Sequence, residues 1–161
     1  MLYIVRHAWA GHFGDPDYPD DRLRPLTEEG RERFCQMVDI LADRGFQPKV
    51  IATSPLVRCR ETADLIYQLV RGNPKVIEID ALRPGSDLEE MLRWTNRQES
   101  SEVAWVGHAP DVGRMTAELI SDGNTDIRFA KGAVAGIRFS GKAAKHTGEL
   151  RWLLTAKMLG C

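Results

Sequence analysis

Four side chains in this 161-residue sequence stand where packing alone does not explain their types. Arg6 and His7 end the apolar run of "YIVRHA", Arg58 lies inside "SPLVRCRETA", and His108 falls between a glycine and a helix start in "VGHAPDV". A guanidinium presents forked N–H donors that match phosphate oxygens in pairs, which a lysine cannot do. An imidazole can serve as nucleophile, base or hydrogen-bond donor near neutral pH. The combination suits an anion, and a phosphoryl group in particular. Each residue taken singly has a plainer explanation. A lone histidine at a strand end is usually a hydrogen-bonded structural residue, and a lone arginine near a helix start is usually solvated. Arg58 fits that explanation poorly, because the positive end of a helix dipole disfavours a cation unless an anion compensates it.

The elements that must position these residues can be read from periodicity and capping. Leu2 to Val5 is a short apolar strand. Thr27 offers an N-cap, with Glu28 and Glu29 in the first turn, and Phe34, Met37, Val38 and Leu41 follow at helical spacing towards a stop at Gly45. Val50 to Thr53 forms a second strand, and Ser54-Pro55 predicts the cap and first position of a helix continued by Leu65, Ile66 and Leu69. Val76 to Ile79 makes a third strand. Ser86 and Glu89 have the spacing of a capping box for a helix through Leu92. A fourth strand, Val103 to Val106, precedes a helix over Pro110 to Ile120. Residues 134–139 and 150–154 read as two further strands, joined by the loop around Lys142 to Gly148.

Strands alternating with helices predict an α/β fold, a three-layer sandwich with a mostly parallel, mixed sheet and helices on both faces, as a single domain over residues 1–161. In such sheets ligands bind beyond the carboxyl ends of the strands. Arg6 and His7 follow the first strand, Arg58 enters the helix after the second, and His108 follows the fourth. Three coincidences at equivalent positions favour one shared anion site over three separate structural roles.

Composition narrows the functions open to the chain. With 43% hydrophobic and 28% charged residues it is ordinary for a globular protein, and its net charge of −1 gives no bulk attraction to nucleic acid or an anionic membrane. Any anion site must therefore be local. Cys35, Cys59 and Cys161 have no metal-ligand or paired spacing, so free thiols in a reducing compartment are expected. No apolar run reaches membrane-spanning length, and Arg6 arrives too early for a signal-peptide core, so a cytoplasmic location is expected. The polar stretch from Gly11 to Arg24, with Asp15, Asp17, Asp20 and Asp21, reads as a loop.

In their order along the chain, "VRHA", "SPLVRCRETA" and "VGHAPDV" resemble the three signature segments of the histidine phosphatase superfamily, also called phosphoglycerate mutase-like. The resemblance runs from Leu2 to about Leu154. The usual R-H-G is here R-H-Ala8, and this departure, the small size and "LTEEG" after Arg24-Pro25 resemble the SixA-type phosphohistidine phosphatases more than the mutases. The resemblance implies that His7 is a nucleophile forming a phosphohistidine enzyme intermediate, that Arg6 and Arg58 hold the phosphoryl oxygens, and that His108 donates to a non-bridging oxygen. It implies no cofactor and no metal, since two arginines and a histidine already neutralise the dianion. Arg24, before "PLT", is a softer candidate for a third phosphate contact. Arg60 points to another helix face, and the spacing of His7 and His12 matches no common zinc motif.

The resemblance fails at the general acid. Mutases and phosphomonoesterases of the family carry a glutamate soon after the third strand, in an L-x-E context; here "DALRPGSD" puts Pro84 at that position. Asp87 and Glu89 nearby have simpler roles at a helix start. An alkoxide leaving group needs an acid, worth typically about 10²–10⁴-fold, whereas an imidazole leaves far more easily. The expected function is accordingly hydrolysis of protein phosphohistidine. The expected partner is a phosphohistidine-bearing protein, such as a phosphotransfer domain, and the expected state is a monomer. Two alternatives remain: a phosphatase for small phosphomonoesters drawing an acid from Asp15, Asp17, Asp20 or Asp21, and a phosphate-binding regulatory module without turnover.

Overall fold

A computed structural model describes residues 1–161. Six strands form one sheet: β1 (Leu2–Arg6), β2 (Val50–Thr53), β3 (Lys75–Glu78), β4 (Val103–Gly107), β5 (Val134–Arg138) and β6 (Glu149–Leu154). Their spatial order is β3-β2-β4-β1-β5-β6. The first four run parallel, and β5 and β6 are antiparallel additions at one side. The expected mixed α/β sheet is thus the observed one.

The central strands are apolar throughout because both of their faces are buried. In β1, Tyr3 and Val5 point into one core with Phe34 and Met37 of α1 (Glu28–Asp43), Ala63 and Ile66 of α2 (Val57–Leu69), and Ala156 of α5 (Ala156–Leu159). Leu2 and Ile4 point the other way, towards Met91 of α3 (Leu88–Thr95) and Met115 and Leu119 of α4 (Asp111–Ile120). This two-residue alternation sorts one apolar strand between two helical layers.

Several boundaries depart from the sequence reading. Thr27 caps α1 as expected, its hydroxyl accepting from Gly30 N–H at 3.1 Å. Ser54-Pro55, however, does not open α2. That helix begins at Val57 with no side-chain cap, and Ser54 is drawn into the site described below. The cap of α3 is Asp87, not Ser86: the Asp87 carboxylate accepts from Glu90 N–H at 3.0 Å, while the Ser86 hydroxyl donates to the Arg83 carbonyl. Asp87 holds the N-cap position of α3, and the Ser86 hydroxyl is engaged in the preceding turn. The polar loop contains a short 3₁₀ turn, Asp21–Leu23, and the chain ends in a short helix, α5, that periodicity does not mark.

Candidate active site

Strand register gathers the candidate residues. β4 lies between β1 and β2, with Arg6 level with Gly107 and Thr53 level with Val106. The chain leaves all three strands at the same edge, neighbouring strands being about 4.8 Å apart. His7 N–H donates to the Gly107 carbonyl at 3.0 Å, and Ser54 N–H donates to the Val106 carbonyl at 3.0 Å, so the ladder continues one residue into the site. Thr62 of α2 ties the exits together: its hydroxyl accepts from Ala8 N–H at 3.0 Å and donates to the Arg58 carbonyl at 2.6 Å.

Arg6, His7, Arg24, Arg58 and His108 consequently line one open cavity of about 630 Å³. His7, Arg24, Arg58 and His108 are buried polar residues. The two imidazoles face each other with ring centroids 5.4 Å apart and planes at 59°, close enough to address one small anion from two sides. His7 Nδ1–H donates to the Ala8 carbonyl at 2.8 Å, which leaves the lone pair on Nε2. Burial, together with the charges of His108, Arg58 and Arg6, pushes the His7 pKa down to about 3, against the pull of the Ala8 carbonyl. His108 is pushed down to about 4 by burial and by Arg58. Both imidazoles are therefore neutral at pH 7, and His7 carries its Nε2 lone pair without needing deprotonation.

His108 is oriented by residues that sequence reading did not select. Its Nε2 hydrogen-bonds the Ser54 hydroxyl at 2.9 Å, and the Cys59 sulfur lies 3.5 Å from the same nitrogen. Burial raises the Cys59 thiol to about 12, so it packs as an inert neighbour and not as a reactive thiolate.

The two arginines are anchored at one end only. Arg6 Nη1 donates to the Phe129 carbonyl at 2.8 Å, and Arg58 Nη1 donates to the Asp21 carbonyl at 2.9 Å and its carboxylate at 3.1 Å. Each leaves its Nε–H buried without an acceptor in the protein. Such a donor costs about 1–3 kcal/mol unless something accepts from it. Burial lowers the pKa of both guanidiniums, aided by Arg128 at Arg6 and opposed by Asp21 at Arg58. Arg24, the softer candidate, lies in the same wall, bound through Nε at 2.8 Å to Asp21 and through Nη1 to the Gly11 carbonyl.

The carboxylates around the cavity are engaged. Asp21 bridges Arg24 and Arg58, and these two outweigh its burial to hold its carboxyl below the usual range. Asp111 accepts from Gly85 N–H at 2.8 Å and pairs with Arg114 at 3.4 Å. Asp15, Asp17 and Asp20 do not line the cavity, and Asp20 is occupied by Arg22. Pro84 and Gly85 do line it, as the sequence reading places Pro84. Asp87 and Glu89 serve elsewhere, Asp87 as the α3 cap and Glu89 in an ion pair with Lys145 at 2.9 Å. His12 and Lys131 also line the cavity; neither carried a motif that could have marked it beforehand.

Two histidines and two arginines thus gather at the carboxyl ends of β1, β2 and β4 of a mixed α/β sheet. The family model of the histidine phosphatase superfamily (branch 1) matches residues 2–122, and the chain belongs to that family. It is 35% identical over 163 residues to an uncharacterized protein of Picosynechococcus sp., covering 96% of this chain and 95% of that one. It is 23% identical over 158 residues to the phosphohistidine phosphatase SixA of Escherichia coli, covering 96% and 93%. Among solved structures, the protein histidine phosphatase SixA complexed with tungstate superposes with a TM-score of 0.84 at 22% identity, covering 98% of both chains. No helix is long and apolar enough to cross a membrane.

Proposed function

We propose that this chain hydrolyses phosphohistidine on a partner protein, through a covalent phosphohistidine on His7. Nε2 of His7 attacks phosphorus while the P–N bond to the partner's imidazole breaks, and that imidazole takes a proton from solvent. Water then attacks the phosphorus of phospho-His7, releasing inorganic phosphate and restoring neutral His7. Arg6 and Arg58 hold the equatorial oxygens, where the charge of a loose transition state resides, and His108 donates to one of them. Arg24, in the same wall, supplies a further contact to the phosphoryl oxygens. No cofactor or metal enters this scheme, so chelators are expected to leave the rate unchanged.

The observation that carries the reading is the state of the carboxylates. An alkoxide leaving group requires a positioned acid, and the two carboxylates lining the cavity are both tied to arginines. An imidazole leaving group has no such requirement. The same observation weighs against the alternative of a general phosphomonoesterase drawing its acid from the Asp15–Asp21 loop. A binding module without turnover is disfavoured by a neutral His7 with its Nε2 lone pair free.

The test is a comparison of kcat/KM for a phosphohistidine protein, p-nitrophenyl phosphate and phosphoserine. Loss of the acid term is worth roughly 3–5 kcal/mol to an aliphatic ester, so phosphohistidine should exceed phosphoserine by at least about 10²-fold. The aryl ester should fall between them. Equal rates for phosphoserine and phosphohistidine would defeat the assignment. Trapped enzyme should carry acid-labile, alkali-stable phosphate, and His7→Ala should carry none.

A further inference from the structure

The segment between Phe129 and Ala133 is fastened to Arg6, the last residue of β1, and to His7 after it. The Phe129 carbonyl accepts from Arg6 Nη1 at 2.8 Å, Gly132 N–H donates to the His7 carbonyl at 3.0 Å, and Arg6 N–H donates to the Ala133 carbonyl at 3.0 Å. Lys131 lies between these anchors, so its half-buried side chain is held on the wall of the phosphoryl cavity. It also lines a neighbouring depression of about 300 Å³ beside His12 and Trp9. On the other side a depression of about 460 Å³ shares Arg6, Ala109 and Pro110 with the cavity and carries the exposed Arg128.

The cations here divide into two groups. Arg24 and Arg58 share Asp21, and Arg114 is paired with Asp111 and Glu118. Lys131 and Arg128 make no ion pair, although Asp126 lines the same depression as Arg128. The cavity and the Arg128 depression together carry six arginine and lysine side chains against Asp21, Asp111 and Asp126. A dianionic phosphoryl group balances Arg6, Arg24, Arg58 and Asp21, and Arg114 is already matched by Asp111 and Glu118, so Lys131 and Arg128 are left with Asp126 alone. The chain as a whole is at −1, so this surplus is concentrated on one face and is not a general basicity. Burial, Arg6 and Arg24 lower the Lys131 pKa, as expected of a cation lacking a counter-charge.

We propose that Lys131 and Arg128 form an anion-recognition rim that selects phosphohistidine flanked by carboxylates on the partner protein. The inference rests on the reading of His7 and its substrate given above, and adds which phosphohistidines are chosen. The phosphoryl group occupies Arg6 and Arg58, and acidic side chains within a few residues of it meet Lys131 on one side and Arg128 on the other. Three adjoining depressions span more surface than a small metabolite covers, and the 83% exposed Phe13 at the cavity rim offers apolar contact to a macromolecule.

The test uses two phosphohistidine peptides of equal length, one with Asp and Glu around the phosphohistidine and one with Asn and Gln. With the wild-type chain the acidic peptide should have the higher kcat/KM, by about five- to tenfold at low ionic strength, expressed in KM. At about 300 mM salt, where the screening length is well under 10 Å, most of that preference should vanish. The Lys131→Gln, Arg128→Gln double variant should lose the preference even at low salt. Equal kcat/KM for the two peptides with the wild-type chain, which requires no variant to fold, overturns the rim; so does a preference that survives in the double variant. If neither phosphohistidine peptide turns over, the substrate reading fails by itself, and the same acidic and neutral pair carrying phosphoserine decides the rim separately.

Discussion

Replacing His7 by Asn should flatten the pH dependence of stability. The folded chain holds the His7 pKa down at about 3 against an ordinary value of 6.5. The unfolded chain therefore binds the extra proton, and the stability owed to neutral His7 is complete above pH 6.5. It declines as pH falls below that value and levels off below the folded pKa. At pH 5 the gap amounts to about 1.5 pKa units, or about 2 kcal/mol. His108, pushed down to about 4, adds a similar amount over the same interval. Asn keeps an N–H that can reach the Ala8 carbonyl but cannot be protonated, so it removes the titration with little change in packing. Urea unfolding at pH 8 and pH 5 measures the effect. Wild type should lose about 4 kcal/mol through these two histidines, and His7→Asn about 2 kcal/mol less than wild type. Parallel losses in the two proteins would show that His7 titrates normally, and the account of a preformed neutral nucleophile would fall. The same electrostatics predict no enzyme-derived acid limb near pH 6.5 in kcat/KM, since that parameter reports the free enzyme.

Other substitutions probe the remaining parts. Ser54→Ala removes the hydrogen bond that orients His108 and should lower kcat about five- to tenfold in steady-state assays, the effect of one buried neutral hydrogen bond; unchanged kcat would remove Ser54 from the site. Arg58→Lys keeps the charge and loses the fork, so kcat/KM should fall about 10- to 100-fold, and a change under about twofold would mean Arg58 does not grip the phosphoryl group. Gly113→Ala drives a Cβ into the Ile127 carbonyl, where α4 meets the segment leading to Phe129. Displacing that backbone should cost about 1–3 kcal/mol and lower Tm by several degrees in a thermal melt, whereas an unshifted Tm would show the contact to be loose.

What was readable in advance followed from local physics. Thr27 before two glutamates and an apolar stripe, or Leu2 to Val5 ahead of an Arg-His pair, depends only on neighbours in the chain. The alternation of such segments, together with their chemistry at strand ends, was enough to place Arg6, His7, Arg58 and His108 on one edge, and the family resemblance put Pro84 at the position of the missing acid. Residues whose roles come from non-local contacts were invisible. Ser54 looked like a helix cap because its sequence neighbours are those of one, yet β4 brings His108 to its hydroxyl and α2 starts three residues later. Asp21 was one of several loop carboxylates until the loop folded back to set it between Arg24 and Arg58. The depressed pKa of His7 is also mostly non-local: beside its chain neighbour Arg6 it needs burial and the distant His108 and Arg58. Lys131 reaches the cavity only because Phe129, Gly132 and Ala133 hydrogen-bond to Arg6 and His7 more than a hundred positions away. Sequence determined which groups could do phosphoryl chemistry and on which edge of the sheet they would lie. Tertiary structure decided their protonation, their counter-charges and which carboxylates were free, because electrostatic energy depends on burial and distance in space and not on separation along the chain.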